Sequence, residues 1–147
     1  MTSPFFGRIG TVLDRVAGLT PISPSHVATG GQGKTLPLDI EHQMLRMRLE
    51  AGSYIIVAKL NLRNLSSQLA VVASASLVVG QTRDDNANIV FPEGGTGSLA
   101  LPFIVGVRIT GPTEVQLMGK TFTPESVVEV NNAVIAAVLC EHLSITT

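Results

Sequence analysis

The stretch VATGGQGKTLP, residues 27–37, ends in Gly-Lys-Thr and so offers the lysine and hydroxyl that a phosphate cradle uses. Such a cradle needs a further glycine five residues before Gly33, so that backbone N–H groups can wrap the phosphates, and that position is Ala28. It also needs a buried strand in front and a helix N-terminus behind. Here Pro21 and Pro24 precede the stretch, and Pro37 falls two residues after Thr35, where a helix would have to begin. The chemistry of a nucleotide site is therefore not assembled, and residues 24–39 read as a Gly/Pro-rich linker that divides the chain. A second candidate is RDDNANIVFPEGG, residues 83–95, in which Asp84, Asn86 and Asn88 are spaced like the first ligands of a calcium loop. The sixth position is Ile89 where the turn needs glycine, and the twelfth is Gly95 where a bidentate glutamate belongs. An ordinary polar loop is the consistent reading.

His26, His42 and His142 show no metal-ligand spacing with one another or with Cys140, and each is expected at the surface or an edge. Cys140, the single cysteine, sits in AVIAAVLCEHL and reads as a small buried apolar side chain. No nucleophile elbow or local catalytic signature is present. The expectation is a protein that is not an enzyme, with no catalytic, cofactor-binding or metal-ligating residues to assign. With no tryptophan and one tyrosine, Tyr54, the chain also lacks the flat amphipathic rings that a sugar-binding surface uses.

The elements that remain must serve packing or association. The 147 residues carry 10 Lys+Arg against 11 Asp+Glu, so there is no basic field to neutralise a phosphate backbone, and nucleic acid is excluded as an expected partner. Charged residues are 14% of the chain, below the roughly 25% typical of soluble domains, while 45% are hydrophobic. That excess needs a cover, and a second subunit is the economical one. No apolar run approaches the roughly 20 residues of a membrane span, and Arg8, Asp14 and Arg15 interrupt what would be the core of a signal peptide, so neither membrane insertion nor processing is expected.

Residues 3–19, SPFFGRIGTVLDRVAGL, have the pattern of a short amphipathic helix: Ser3 as N-cap, Pro4 in the first turn, and Phe5, Ile9, Val12, Leu13 and Val16 at helical spacing. Gly7 and Gly10 each weaken it by about 1 kcal/mol relative to alanine, so it needs a surface to dock on, and residues 1–23 read as a docking arm. From residue 40 the period changes to that of strands. Residues 44–64 alternate as an antiparallel hairpin turning at 50–53, and apolar runs at 69–79, 87–92, 98–110, 113–119 and 132–145 follow, separated by turn clusters at 80–86, 93–97, 111–112 and 119–126. About eight strands at this spacing predict an all-β antiparallel sandwich over residues 40–147. The runs at 70–79 and 134–139 are so continuously apolar that they need covering on both faces, one by the sandwich interior and the other by a neighbouring subunit; the alternative cover is the N-terminal segment folded back onto its own domain.

The run LEAGSYIIVAKLNLRN, the QTRDDNANIV loop and the final NNAVIAAVLCEHLSI strand resemble the jelly-roll domains of the tumour-necrosis-factor and C1q superfamily, with Gly52-Ser53-Tyr54 as the glycine-aromatic start of a central strand. The chain is also similar to small β-sandwich proteins of actinobacteria and their phages. This resemblance implies a jelly roll that forms a homotrimer, with Tyr54, Ile56, Val134, Ala136 and Val138 at the threefold axis. It further implies a bacteriophage virion structural protein, a decoration protein on the capsid exterior that clips the major capsid protein through Phe5, Phe6, Ile9, Val12, Leu13 and Val16. The alternative is a trimeric binding head of a tail fibre or baseplate, with loops 80–97 contacting a host receptor.

Overall fold

The computed structural model describes residues 26–66, 70–85, 89–92 and 97–146. The arm helix, the docking residues Phe5, Phe6, Ile9, Val12, Leu13 and Val16, and Asn86 and Asn88 of the calcium-like run lie outside the described residues. Within them the chain forms nine strands: β1 (His26–Gly30), β2 (His42–Leu49), β3 (Gly52–Asn64), β4 (Val71–Val79), β5 (Thr82–Asp85), β6 (Ile89–Phe91), β7 (Ser98–Ile109), β8 (Thr113–Thr121) and β9 (Val128–Cys140). They build two antiparallel sheets. The first has the order β1-β9-β3-β7; the second has the order β2-β8-β4-β5, with β6 also pairing β4.

Strict alternation makes the interior. In β3, Tyr54, Ile56, Ala58, Leu60 and Leu62 point inward while Ile55, Val57, Lys59 and Arg63 point outward. Val115 and Leu117 of β8, Leu77 of β4, Ile135 of β9 and Phe91 of β6 complete a core from both sheets. Tyr54 keeps its hydroxyl satisfied at the sandwich end by donating to the Glu50 carbonyl at 3.0 Å.

Two expectations about chain path are corrected. The segments on either side of the turn at 50–53 do not form a hairpin: β2 pairs β8 in one sheet, and β3 pairs β7 and β9 in the other. The short turn is a corner between sheets, and the polar residues on its two sides belong to two separate outer faces. The glycine-rich stretch is likewise part of the sandwich rather than a linker. His26–Gly30 pairs with β9, and the chain then crosses to the second sheet through Gly31 and Gly33, both at positive φ (74° and 84°). Backbone bonds hold the crossing at each step: Gly33 N donates to Val130 O at 2.9 Å, Leu36 N to Val128 O at 2.9 Å, and Asp39 N to Thr121 O at 2.8 Å. Leu36 is buried over Gly119, where an added Cβ would come within 2.7 Å of it. The lysine of the Gly-Lys-Thr run donates from Nζ to the Met44 carbonyl at 3.1 Å, tying the crossing to β2.

β7 is an edge strand, and its outward N–H groups are sealed in part. Pro102 has none to offer, and Ile104 N donates to the Asp84 carboxylate of β5 at 2.9 Å.

Candidate interaction surface

The two sheets present different outer faces. On the second sheet polar residues that engage one another are mixed with the outward apolar side chains Val72, Val78, Val90 and Met118, of which Val90 is 58% exposed. Arg46 meets Glu114 at 3.6 Å, and Gln116 Nε2 donates to Gln43 Oε1 and to Glu114 Oε2, each at 3.1 Å. Arg83 is the hub of a larger cluster: Nη2 donates to Glu41 Oε1 at 2.6 Å and to Ser76 Oγ at 3.1 Å, and Nε donates to Asp85 Oδ1 at 3.0 Å. The bond to Glu41, more than the one to Asp85, raises the Arg83 pKa, so the guanidinium is a fixed positive charge. The Ser76 hydroxyl, and after it Arg83, hold the Asp85 carboxyl below the usual carboxylate range.

The first sheet carries nothing comparable over its lower half. Register places Val27 of β1 opposite Ala136 of β9, Ala136 opposite Val57 of β3, and Val57 opposite Ile104 of β7, so one apolar row crosses all four strands. Both ends of the row are well exposed, Val27 at 61% and Ile104 at 65%. Beside it run Val138, Ile55 and Gly106, and on its other side Thr29, Val134, Lys59 and Pro102. Because Ala136 is small, a shallow hollow of about 330 Å³ opens over it, lined by Val57, Ala58, Lys59, Val134 and Ala136. Lys59, at the rim, makes no ion pair with any described residue. Further up the sheet the face turns polar: Asn61 donates to Asn132, and Asn131 approaches Ser98 at 3.4 Å. Below, the C-terminal tail lies across Gly106, with Leu143 side-chain carbons 3.7 Å from where a Cβ would stand, and Arg108 donates to the Leu143 carbonyl. The larger cleft beside that tail, about 500 Å³ between Thr82, Gly106–Arg108, Ser144 and Ile145, has Arg108 as its one charged lining residue, already engaged by the tail.

The residues assigned to a trimer axis therefore divide. Val134, Ala136 and Val138 do lie on this outer face, brought together with Val57 and Ile104. Tyr54 and Ile56 do not: they are 3% and 0% exposed within the chain's own core, and their side chains cannot meet another subunit. The residues that share the face are their neighbours Ile55 and Val57, together with Val27 and Ile104, which sequence reasoning missed. The signal for the first two was their common parity with Lys59 and Arg63. Cys140 is half-buried near the end of the same face, its thiol 3.6 Å from the Val138 carbonyl, rather than in the core. His26, His42 and His142 are exposed. Among the described residues no three His, Cys, Asp or Glu side chains are grouped so as to hold a metal ion, and no helix is long and apolar enough to cross a membrane.

No protein-family model matches the sequence, and a comparison with curated proteins finds no match. Solved structures do share the fold. A chain of infectious bursal disease virus, Gx strain, superposes with a TM-score of 0.59 over 83% of this chain and 35% of that one, at 12% identity. A chain of the T=1 particles derived from the same virus does so at 0.59 over 80% and 32%, at 15% identity. The Eiger TNF from S. frugiperda superposes at 0.50 over 85% of this chain and 99% of that one, at 8% identity. The chain thus spans about a third of the viral chains it matches and nearly all of the TNF domain. At these identities the likeness is one of fold: an antiparallel jelly roll of the kind that both viral particles and TNF-like proteins use.

Proposed function

We propose that the chain is a non-enzymatic structural protein of a virion, a decoration protein on the capsid exterior of a bacteriophage that assembles as a homotrimer. The observation that carries this reading is the contrast between the two outer faces. On one, polar groups around Arg83 and Gln116 satisfy one another among scattered apolar side chains; on the other, an aliphatic row runs unbroken across four strands from Val27 to Ile104 with no cover among the described residues. A face of that composition is what subunit contacts bury. The matching fold in particles of infectious bursal disease virus supports a virion role. In this reading Val57, Ile104, Val134, Ala136 and Val138 meet neighbouring copies, and the arm carrying Phe5, Phe6, Ile9, Val12, Leu13 and Val16 grips the major capsid protein. Three arms on one trimer multiply weak contacts through effective concentration.

The test is binding of the full chain to capsids prepared without it, with bound mass counted per site. Attachment in groups of three, lost in the Ile9→Asp/Leu13→Asp double variant, is the expected result. Attachment indifferent to the arm substitutions overturns the docking role. Adherence to host cells in place of capsids moves the protein to a tail fibre or baseplate head.

A further inference from the structure

The upper end of the sandwich, where β8 passes into β9, carries a second group of apolar side chains with no cover among the described residues. Backbone bonds bring its segments together: Asp39 N donates to Thr121 O, Phe122 N to Val72 O and Leu65 N to Val127 O, each at 2.8 Å. Along these segments Leu38, Ile40, Leu65, Phe122 and Val127 are all exposed, Ile40 at 72%. We infer that this end is a docking surface for a partner protein whose contacting segment carries aliphatic side chains flanked by lysine or arginine.

The backbone singles out this end. Among the described residues only Asp39 and Glu125 combine a side chain with a positive φ, 61° at each, and both stand here. Ile40 N donates to Leu38 O at 2.8 Å, so Asp39 is the middle residue of a γ-turn of the rare, strained hand. Glu125 follows Pro124 in the turn that Ser126 N closes on Thr123 O at 3.4 Å, and it occupies the position where a type II turn takes glycine. Left-handed backbone crowds a Cβ against the next carbonyl, and glycine adopts it freely. Each carboxylate is therefore held at the surface against a conformational cost, as residues at ligand contacts are.

Charge then specifies the occupant. Asp39 and Glu125 are exposed and make no ion pair with any described residue. Lys120 is already engaged, its Nζ 4.9 Å from the centre of the Phe122 ring. The end is thus an apolar strip with two unmatched negative charges, and its complement is an aliphatic segment with cations beside it. A second copy joined end to end would set these carboxylates against their own equivalents, which argues against that occupant. The strip also lies away from the row that ends at Val27 and Ile104, so a subunit contact through the first sheet leaves it open. The inference goes beyond the decoration reading and does not depend on it.

The test uses the full chain, free of capsids, and two synthetic peptides that share a core of leucine, isoleucine and valine, one flanked by lysines and the other by glutamates. The protein's methyl resonances are followed through each titration. The lysine peptide is expected to move Leu38, Ile40, Leu65 and Val127 and to leave Val57 and Val138 in place. Its affinity should fall about tenfold in Asp39→Asn/Glu125→Gln, as for the loss of two exposed ion pairs, and the glutamate peptide should bind the parent no better than that. Asp39→Gly/Glu125→Gly should lose the same affinity while its melting temperature rises, because the strain leaves with the side chains. Equal affinity for the two peptides, stationary methyls at this end, or a glycine variant that binds as the parent does overturns the inference. So does a solution mass that grows with concentration and stops growing in Ile40→Asp, which assigns the end to a second copy.

Discussion

The crossing between the sheets yields a sharp test, because Gly31 and Gly33 share a left-handed backbone but have very different surroundings. Gly31 and Gly33 both have φ in the left-handed region, 74° and 84°. An alanine there costs about 1–2 kcal/mol from Cβ–carbonyl crowding alone. At Gly33 nothing lies within 4 Å of the added Cβ, so that cost is the whole effect. At Gly31 the Cβ would stand 2.9 Å from the Met44 carbonyl oxygen, with Val130 and Ala133 side chains at 3.4 and 3.5 Å behind it. The oxygen belongs to a strand and cannot swing aside, so an overpacking cost of about 1–3 kcal/mol is added. Gly31→Ala is therefore expected to destabilise by roughly 2–5 kcal/mol and Gly33→Ala by roughly 1–2 kcal/mol. In a domain of this size that is about 4–20 °C against about 2–8 °C in melting temperature. Urea unfolding followed by far-UV circular dichroism measures both. If neither variant departs from the parent by more than about 0.5 kcal/mol, as for substitutions away from any structural feature, the stretch is a tether and the crossing described above is wrong. If the two lose equal stability, the close approach to Met44 is wrong while the left-handed backbone stands.

Other consequences are simpler to state. Phe91, fully buried from the three-residue β6, should cost about 3–5 kcal/mol on truncation to alanine, measured by the same unfolding curves; a loss below 1 kcal/mol would mean that β6 is not seated in the core. Asp85 has its carboxyl held below the ordinary value by Ser76 and Arg83, so its contribution is present above the unfolded pKa of about 3.9 and vanishes as pH falls through the folded one. Asp85→Asn should flatten the fall in stability below about pH 4, and an unchanged acid limb would remove Asp85 from the cluster. Ile104→Asp changes a residue 65% exposed and should leave stability within about 0.5 kcal/mol while abolishing the proposed self-association, which light scattering coupled to size exclusion reads out. An unchanged solution mass would place the contact elsewhere.

Strand alternation was legible because it is a local property. Leu60 and Leu62 against Lys59, Asn61 and Arg63 identify the inward parity of β3 without any structure, and the same parity puts Tyr54 and Ile56 inside. Assigning them to an intersubunit axis went against that signal, since YIIVA is apolar at both parities and only the charged half of the strand discriminates. What was not legible is pairing. The short turn after Leu49 is compatible with a hairpin or with a corner, and only the distant partners, β8 for one strand and β9 with β7 for the other, decide between them. Composition likewise misread residues 26–36, because glycines selected for left-handed backbone at a sheet crossing look the same as glycines in a tether. The apolar row was out of reach for a related reason: Val27, Val57, Ile104 and Ala136 are scattered along the chain and become neighbours only through register.

The sealing of β7 has a bearing on what kind of object these subunits can make. A long uncovered strand invites another chain to add itself by backbone pairing, and repetition of that step has no natural end. With Pro102 in the strand and the Ile104 amide already held by Asp84, backbone pairing at that side is interrupted at two successive outward positions. If copies associate as proposed, through side chains on the face of limited extent that Val27 and Ile104 bound, the contact saturates, and growth by strand addition at β7 does not compete with it.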